Sequence, residues 1–156
     1  MATLKELRDE RLRKLEELKN LGVNPYPASS HRTHMAGDVA AHFEELQGQT
    51  ATVAGRIISI RKFGKIAFVV VKDVSGELQL FLKNDVLAEL DAANSQLGIA
   101  QLNLLDSGDF IEATGTVIKT QTGETSLELT NLRLLTKSLR PMPTKQDGFT
   151  NKEERL

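Results

Sequence analysis

The chain has 156 residues, 40% of them hydrophobic and 26% charged, with a formal net charge of −1 and no cysteine. That length supports one domain with appendages, burying roughly 68–70% of its unfolded surface, and the near-neutral balance excludes the globally basic surface of a tight duplex-DNA binder. The missing thiols exclude disulfides and thiolate metal sites, no apolar run approaches the roughly 18 residues of a membrane span, and MATLKELRDERLRKLEELKN lacks the apolar centre of a secretion signal; a soluble, cytoplasmic protein is expected.

Thr3 followed by Glu6 fits a capping box and starts a helix. Leu4, Leu7, Leu12, Leu15 and Leu18 form a narrow apolar stripe on it, with Asp9 to Arg13 and Glu10 to Lys14 as favourable pairs on the wet side. Its mixed charge reads as a solvated face more than as a phosphate contact. Gly22 and Pro25 end the helix, and Asn24 to Ser30 follows as an extended connector, because residues before proline leave helical geometry. A short helix over about residues 36–46 carries Val39, Phe43 and Leu46 toward the core. His31, His34 and His42 have neither cysteine nor carboxylates at ligand spacing and read as surface histidines, with no metal expected.

The first strand runs from about Gln49 to Arg61, with Gly55 inside it as a bulge or bend. Breaks at Phe63-Gly64-Lys65 and Asp73-Val74-Ser75-Gly76 bound the second strand and start the third. Alternation puts Ala67, Val69 and Val71 on one face, with Leu78, Leu80 and Leu82 likewise, and both sets read as core. Phe68, Val70 and Lys72 then face outward, as do Glu77, Gln79 and Phe81. Residues 84–105 read as a largely helical insertion interrupted near Gly98. A fourth strand, Asp109 to Thr120, meets a fifth, Thr125 to about Leu135, through a glycine-containing hairpin, with Leu127 and Leu129 inward. Lys137 to Thr144 reads as a proline-stiffened linker, followed by a polar tail.

Five strands with a helix between the third and fourth, the first bent at a glycine, is the order of an OB-fold. The expected class is therefore mainly β with helices (α+β): a five-stranded Greek-key barrel over residues 49–136, a helical extension over 1–48, and a linker with a polar tail over 137–156. The second and third strands are where this fold commonly binds oligonucleotides. An aromatic ring beside an amide on a solvated sheet face suits an unpaired base: the ring stacks and the amide both donates and accepts. One exposed Phe alone is an ordinary surface feature. Arg56, Arg61, Lys62, Lys65 and Lys72 tip the balance, since no carboxylate lies among them between Glu45 and Asp73.

The motifs LGVNPYP, HRTHMAGDV, AGRIISIRKFGKIAFVVVKDVSGELQLFL, LLDSGDFIEATGTVIKTQTGE and LRLLTKSLRPMP, in this order, resemble the N-terminal anticodon-binding part of bacterial class II lysyl-tRNA synthetases over nearly the whole chain. The barrel is shared with aspartyl- and asparaginyl-tRNA synthetases; the leading helix with NPYP and the KSLRPMP linker look like the lysyl branch. The resemblance implies recognition of a lysine tRNA whose anticodon has a central uridine. It implies that Phe68 stacks on that base, that Gln79 bonds its edge, that Arg56 and Glu124 belong to the same pocket, and that Arg61 contacts base or backbone. It further implies a parent lysine-tRNA ligase that uses ATP and Mg2+ and forms a homodimer, with residues 137–156 as the linker and the start of a catalytic domain that is absent from this chain.

No paired acid and base, phosphate loop or nucleophile constellation is present, so the segment alone is expected to bind no cofactor and to be inactive, a piece of the longer enzyme rather than a stand-alone relative. Two other classes compete. One is a sequence-tolerant single-strand binder, and the other is an interaction module using Phe68 and Phe81 as a protein contact.

Overall fold

The structure is a computed structural model that describes residues 3–26 and 30–139. The readings for residues 27–29 of the connector and 140–156 of the linker and tail fall outside the described residues.

Helix α1 (Leu4–Asn20) begins as its capping signal requires, the Glu6 amide donating to Thr3 Oγ1 at 3.1 Å and the Thr3 hydroxyl donating to the Glu6 carboxylate at 3.1 Å. It ends in a Schellman turn: Gly22, at φ +84°, donates to the Lys19 carbonyl and Val23 to the Leu18 carbonyl. Only the second half of the apolar stripe is used. Leu15 and Leu18 are buried with the stem of Arg11, whereas Leu4 and Leu7 are exposed. The charge pairs differ from those expected: Arg13 bonds Glu10 and Glu17, and Lys14 reaches across to Asp106 at 2.8 Å.

The second predicted helix is split at His42 into α2 (Ala36–Ala41) and α3 (Phe43–Leu46). Val39 is fully buried, and Phe43 and Leu46 are half-buried against the core, with Lys119 Nζ over the Phe43 ring at 4.4 Å from its centroid.

Strands β1 (Thr50–Phe63), β2 (Ile66–Asp73), β3 (Gly76–Lys83), β4 (Phe110–Lys119) and β5 (Thr125–Thr136) close a barrel in the order β1-β2-β3-β5-β4. β1 serves two neighbours, pairing with β4 over residues 50–56 and with β2 over 56–63. Gly55 sits at that hand-over. A Cβ there would stand 2.8 Å from the Lys72 carbonyl oxygen, and the register slips by one residue between Ile57 and Ser59. The bend read from Gly55 is thus a close backbone approach followed by a bulge. β3 and β5 close the barrel in parallel, with Gln79 opposite Ser126. Ala67, Val69, Val71, Leu78, Leu80, Leu82, Leu127 and Leu129 all point into the core, as the alternation predicts.

The insertion over residues 84–105 is not the predicted helix. It contains short 3₁₀ turns, Ala92–Asn94 and Ile99–Leu104, around isolated bridges from Gln96 to Asp91 and Arg133. Its leucines at 87, 97, 102, 104 and 105 all join the core, a spacing that no single helical face provides. The buried Gln96 side chain substitutes for regular structure, accepting from the Leu132 amide at 2.9 Å and donating to the Ala88 and Leu97 carbonyls.

The start of the predicted linker is tied down. Lys137 is buried and donates to Asp106 at 2.6 Å and Asp109 at 2.7 Å, while Ser138 donates its amide to Asp109 and accepts from Arg11. Burial raises the Asp109 pKa, with Lys137 only partly compensating. At Asp106 burial also pushes upward, but bonds from Lys137 and Lys14 outweigh it and hold the pKa low.

Candidate nucleic-acid interface

The outer face of β1, β2 and β3 is built from two adjacent rungs. In one, Arg61, Phe68 and Phe81 lie opposite one another; in the next stand Ser59, Val70, Gln79 and, across the parallel closure, Ser126. The period of two in each strand sends Phe68, Phe81 and Gln79 away from the leucine and valine core, and all three are half-buried.

Phe68 and Phe81 stack with centroids 5.1 Å apart and planes 11° from parallel, and Phe63 meets Phe68 edge-on at 6.2 Å. The Arg61 guanidinium lies over Phe68, 5.4 Å from its centroid. The same arginine approaches the side-chain oxygen of Gln79 at 3.5 Å, while the Gln79 amide nitrogen donates to Ser126 Oγ at 2.9 Å. A guanidinium has only donors, so the oxygen of the amide is the end that faces it. The Ser126 hydroxyl is itself directed, donating to the backbone carbonyl of Glu124 at 3.3 Å. The result is a chain from Arg61 through Gln79 and Ser126 to the tip of the β4–β5 hairpin, one rung from a stacked aromatic pair.

Four of the five residues singled out from the sequence relate to this chain. Phe68, Gln79 and Arg61 are brought together, and Arg61 touches both of the others. Glu124 is joined through its carbonyl; its carboxylate is exposed and makes no hydrogen bond to Arg61 or Gln79 among the described residues. Arg56 is not in this group. It lies opposite Lys72 and Phe110, with its guanidinium 5.0 Å from the Phe110 centroid. Lys72 follows Phe68 by four residues on β2, which separates the two places by about 13 Å at about 3.3 Å per residue. Arg61, not Arg56, is the arginine that lies beside both Phe68 and Gln79.

Ser126 was not legible as a site residue, because nothing local marks a serine beside a core leucine. The sequence marks Phe63 only as part of a turn. On this side of the barrel Arg56, Arg61, Lys62, Lys65 and Lys72 are exposed, and none forms a salt bridge among the described residues. Glu77 stands opposite Lys72 as the nearest counter-charge in register. Among the described residues no group of three or more His, Asp or Glu is placed to hold a metal ion, and no helix is long and apolar enough to cross a membrane.

A closed five-stranded barrel with rings, amide and cations on its β1–β3 face has the architecture of an OB barrel that takes single-stranded nucleic acid. Residues 51–135 match the tRNA anticodon family described as OB-fold nucleic acid binding domain, and the chain belongs to that family. It is 41% identical over 157 residues to a lysine-tRNA ligase of Roseiflexus castenholzii, covering 97% of this chain and 30% of the relative. Lysine-tRNA ligases of Dehalococcoides mccartyi (40% over 155 residues, 96% of this chain) and Carboxydothermus hydrogenoformans (41% over 155 residues, 97% of this chain) are similar, each matched over 30% of its own length. The chain thus spans about 30% of the length of these curated relatives.

Proposed function

We propose that this chain is the anticodon-reading segment of a lysine-tRNA ligase and that it selects a uridine at the centre of the anticodon. The observation that carries the proposal is the Gln79 amide held between Arg61 and Ser126 beside Phe68. A base entering the site stacks on Phe68 in place of the guanidinium and leaves Arg61 at its edge. Uracil presents two carbonyl acceptors flanking an N3 donor. Arg61 donates to a carbonyl and the Gln79 oxygen accepts from N3, with Ser126 keeping the amide in that orientation.

Cytosine reverses two of the three groups, and each buried polar atom left unpaired costs about 1 to 3 kcal/mol. Stacking on Phe68, worth about 1 to 3 kcal/mol, adds affinity with little base preference. On this reading the complete enzyme attaches lysine to its tRNA with ATP and Mg2+ in a catalytic domain beyond this chain, and works as a homodimer in the cytoplasm. The segment itself supplies recognition and no chemistry.

The test is binding of the chain to a lysine-type anticodon stem-loop and to the same loop with its central uridine changed to cytidine, at one stated salt concentration. A clear uridine preference supports the reading. Equal binding replaces it with a sequence-tolerant single-strand binder, a role to which the three-ring cluster of Phe63, Phe68 and Phe81 also lends itself. Loss of both interactions moves the face to a protein partner.

A further inference from the structure

Arg56, Lys72 and Phe110 occupy one rung across β2, β1 and β4, beyond the bulge that separates them from the reading pocket. The arrangement is built rather than scattered. Phe110 is exposed at 38%, and it carries the Arg56 guanidinium at 5.0 Å from its centroid. A guanidinium resting on a ring keeps its edge N–H groups free to donate. Lys72 stands opposite Arg56 and adds a second cation, and neither forms a salt bridge among the described residues. Glu77, opposite Lys72, is the one carboxylate in the rung among the described residues, and it lies on the far side of Lys72 from Arg56.

We infer that Arg56 and Lys72, with Phe110 as the shelf for Arg56, form a phosphate clamp that holds the RNA backbone as it runs past the Phe68 pocket. The inference rests on the proposed anticodon reading. Its chemistry differs, however: at about 13 Å from Phe68 along β2, the clamp touches a neighbouring part of the strand and not the base being read. Two exposed donors of positive charge suit phosphate oxygens, which carry no sequence information. The clamp sets affinity, and the Arg61–Gln79–Ser126 chain sets selectivity.

The experiment compares the unaltered 156-residue chain with the double variant Arg56→Gln, Lys72→Gln on the uridine and cytidine stem-loops over a range of salt concentrations. The expected result is a loss of about tenfold or more on both loops alike, with the uridine-to-cytidine ratio unchanged. The slope of log affinity against log salt becomes shallower by about 0.7 to 0.9 per phosphate contact removed. A second variant, Phe110→Leu, keeps both cations and an apolar side chain while removing the ring, and is expected to give a smaller loss that is again equal on both loops. Unchanged affinity and slope in the double variant overturn the clamp. A changed ratio overturns it in favour of a base contact at Arg56, and lost self-association in sedimentation with RNA binding intact overturns it in favour of a protein contact. Equal binding of the two loops by the unaltered chain removes the uridine reading alone, because the clamp is still read on either loop. Absence of binding to both removes both.

Discussion

The side-chain nitrogen of Gln79 on β3 donates to the hydroxyl of Ser126 on β5 at 2.9 Å, across the parallel pairing that closes the barrel and 47 positions away in the chain. Ser126 is fully buried, so this bond sets which end of the amide faces Arg61. Ser126→Ala is expected to reduce stability by about 1 kcal/mol in urea unfolding, the usual net worth of one hydrogen bond. It is also expected to lower the uridine-to-cytidine binding ratio, since the freed amide can turn. A stable variant with an unaltered ratio would remove Ser126 from the reading mechanism.

Stacking and edge recognition reside on different residues and separate experimentally. Phe68→Ala is expected to weaken uridine and cytidine loops to the same degree, by about 1 to 3 kcal/mol. Gln79→Ala and Arg61→Gln are expected to erode the difference between the loops. Titrations in which Phe68→Ala changed the ratio, or Gln79→Ala left it intact, would reverse these assignments.

Lys137 and Asp109 form an ion pair whose side chains are both 0% exposed, at the point where β5 leaves the barrel. Lys137→Met leaves the carboxyl buried beside a methyl group, and loss of one partner of such a pair costs about 3 to 5 kcal/mol. Burial already raises the Asp109 pKa, and removing the cation raises it further. A carboxyl whose folded pKa exceeds its unfolded one contributes stability below the unfolded value and loses it as pH rises through the folded value. The defect of Lys137→Met in urea unfolding is therefore expected to be large at neutral pH and to shrink toward acid. A defect independent of pH would show that packing, not the stranded carboxyl, is responsible.

Glu112 behaves in the opposite sense. Burial pushes its pKa up, but the Ser30 hydroxyl, the His31 amide and Arg133 bond its carboxylate and leave the pKa below the ordinary value. Its contribution is complete above the unfolded pKa and is lost as pH falls through the folded one. Glu112→Gln is expected to flatten the acid limb of the stability profile. An acid limb as steep as that of the unaltered chain would assign the pH dependence to Asp73 and Asp106, whose pKa values are also held low.

The strands and their inward faces were legible because strand geometry is local: Val69 and Leu80 point inward through a period of two that the sequence displays directly. The capping pair Thr3 and Glu6 was legible for the same reason, acting within three residues, whereas Gly55 was legible only as a bend, its close approach to the Lys72 carbonyl being a cross-strand contact. The insertion over residues 84–105 was not, since its leucines are buried by the barrel they cover and not by a helical face of their own. Basic and aromatic side chains on the face of the second and third strands were likewise readable one by one. Tertiary structure alone decided which arginine joins Gln79. The slip after Ile57 sets the register that brings Arg61 to Phe68 and leaves Arg56 on Phe110, and parallel closure of β3 on β5 supplies Ser126. Side-chain type and spacing determined what the face is made of; strand register, a property of paired backbones distant in sequence, determined which of those groups meet.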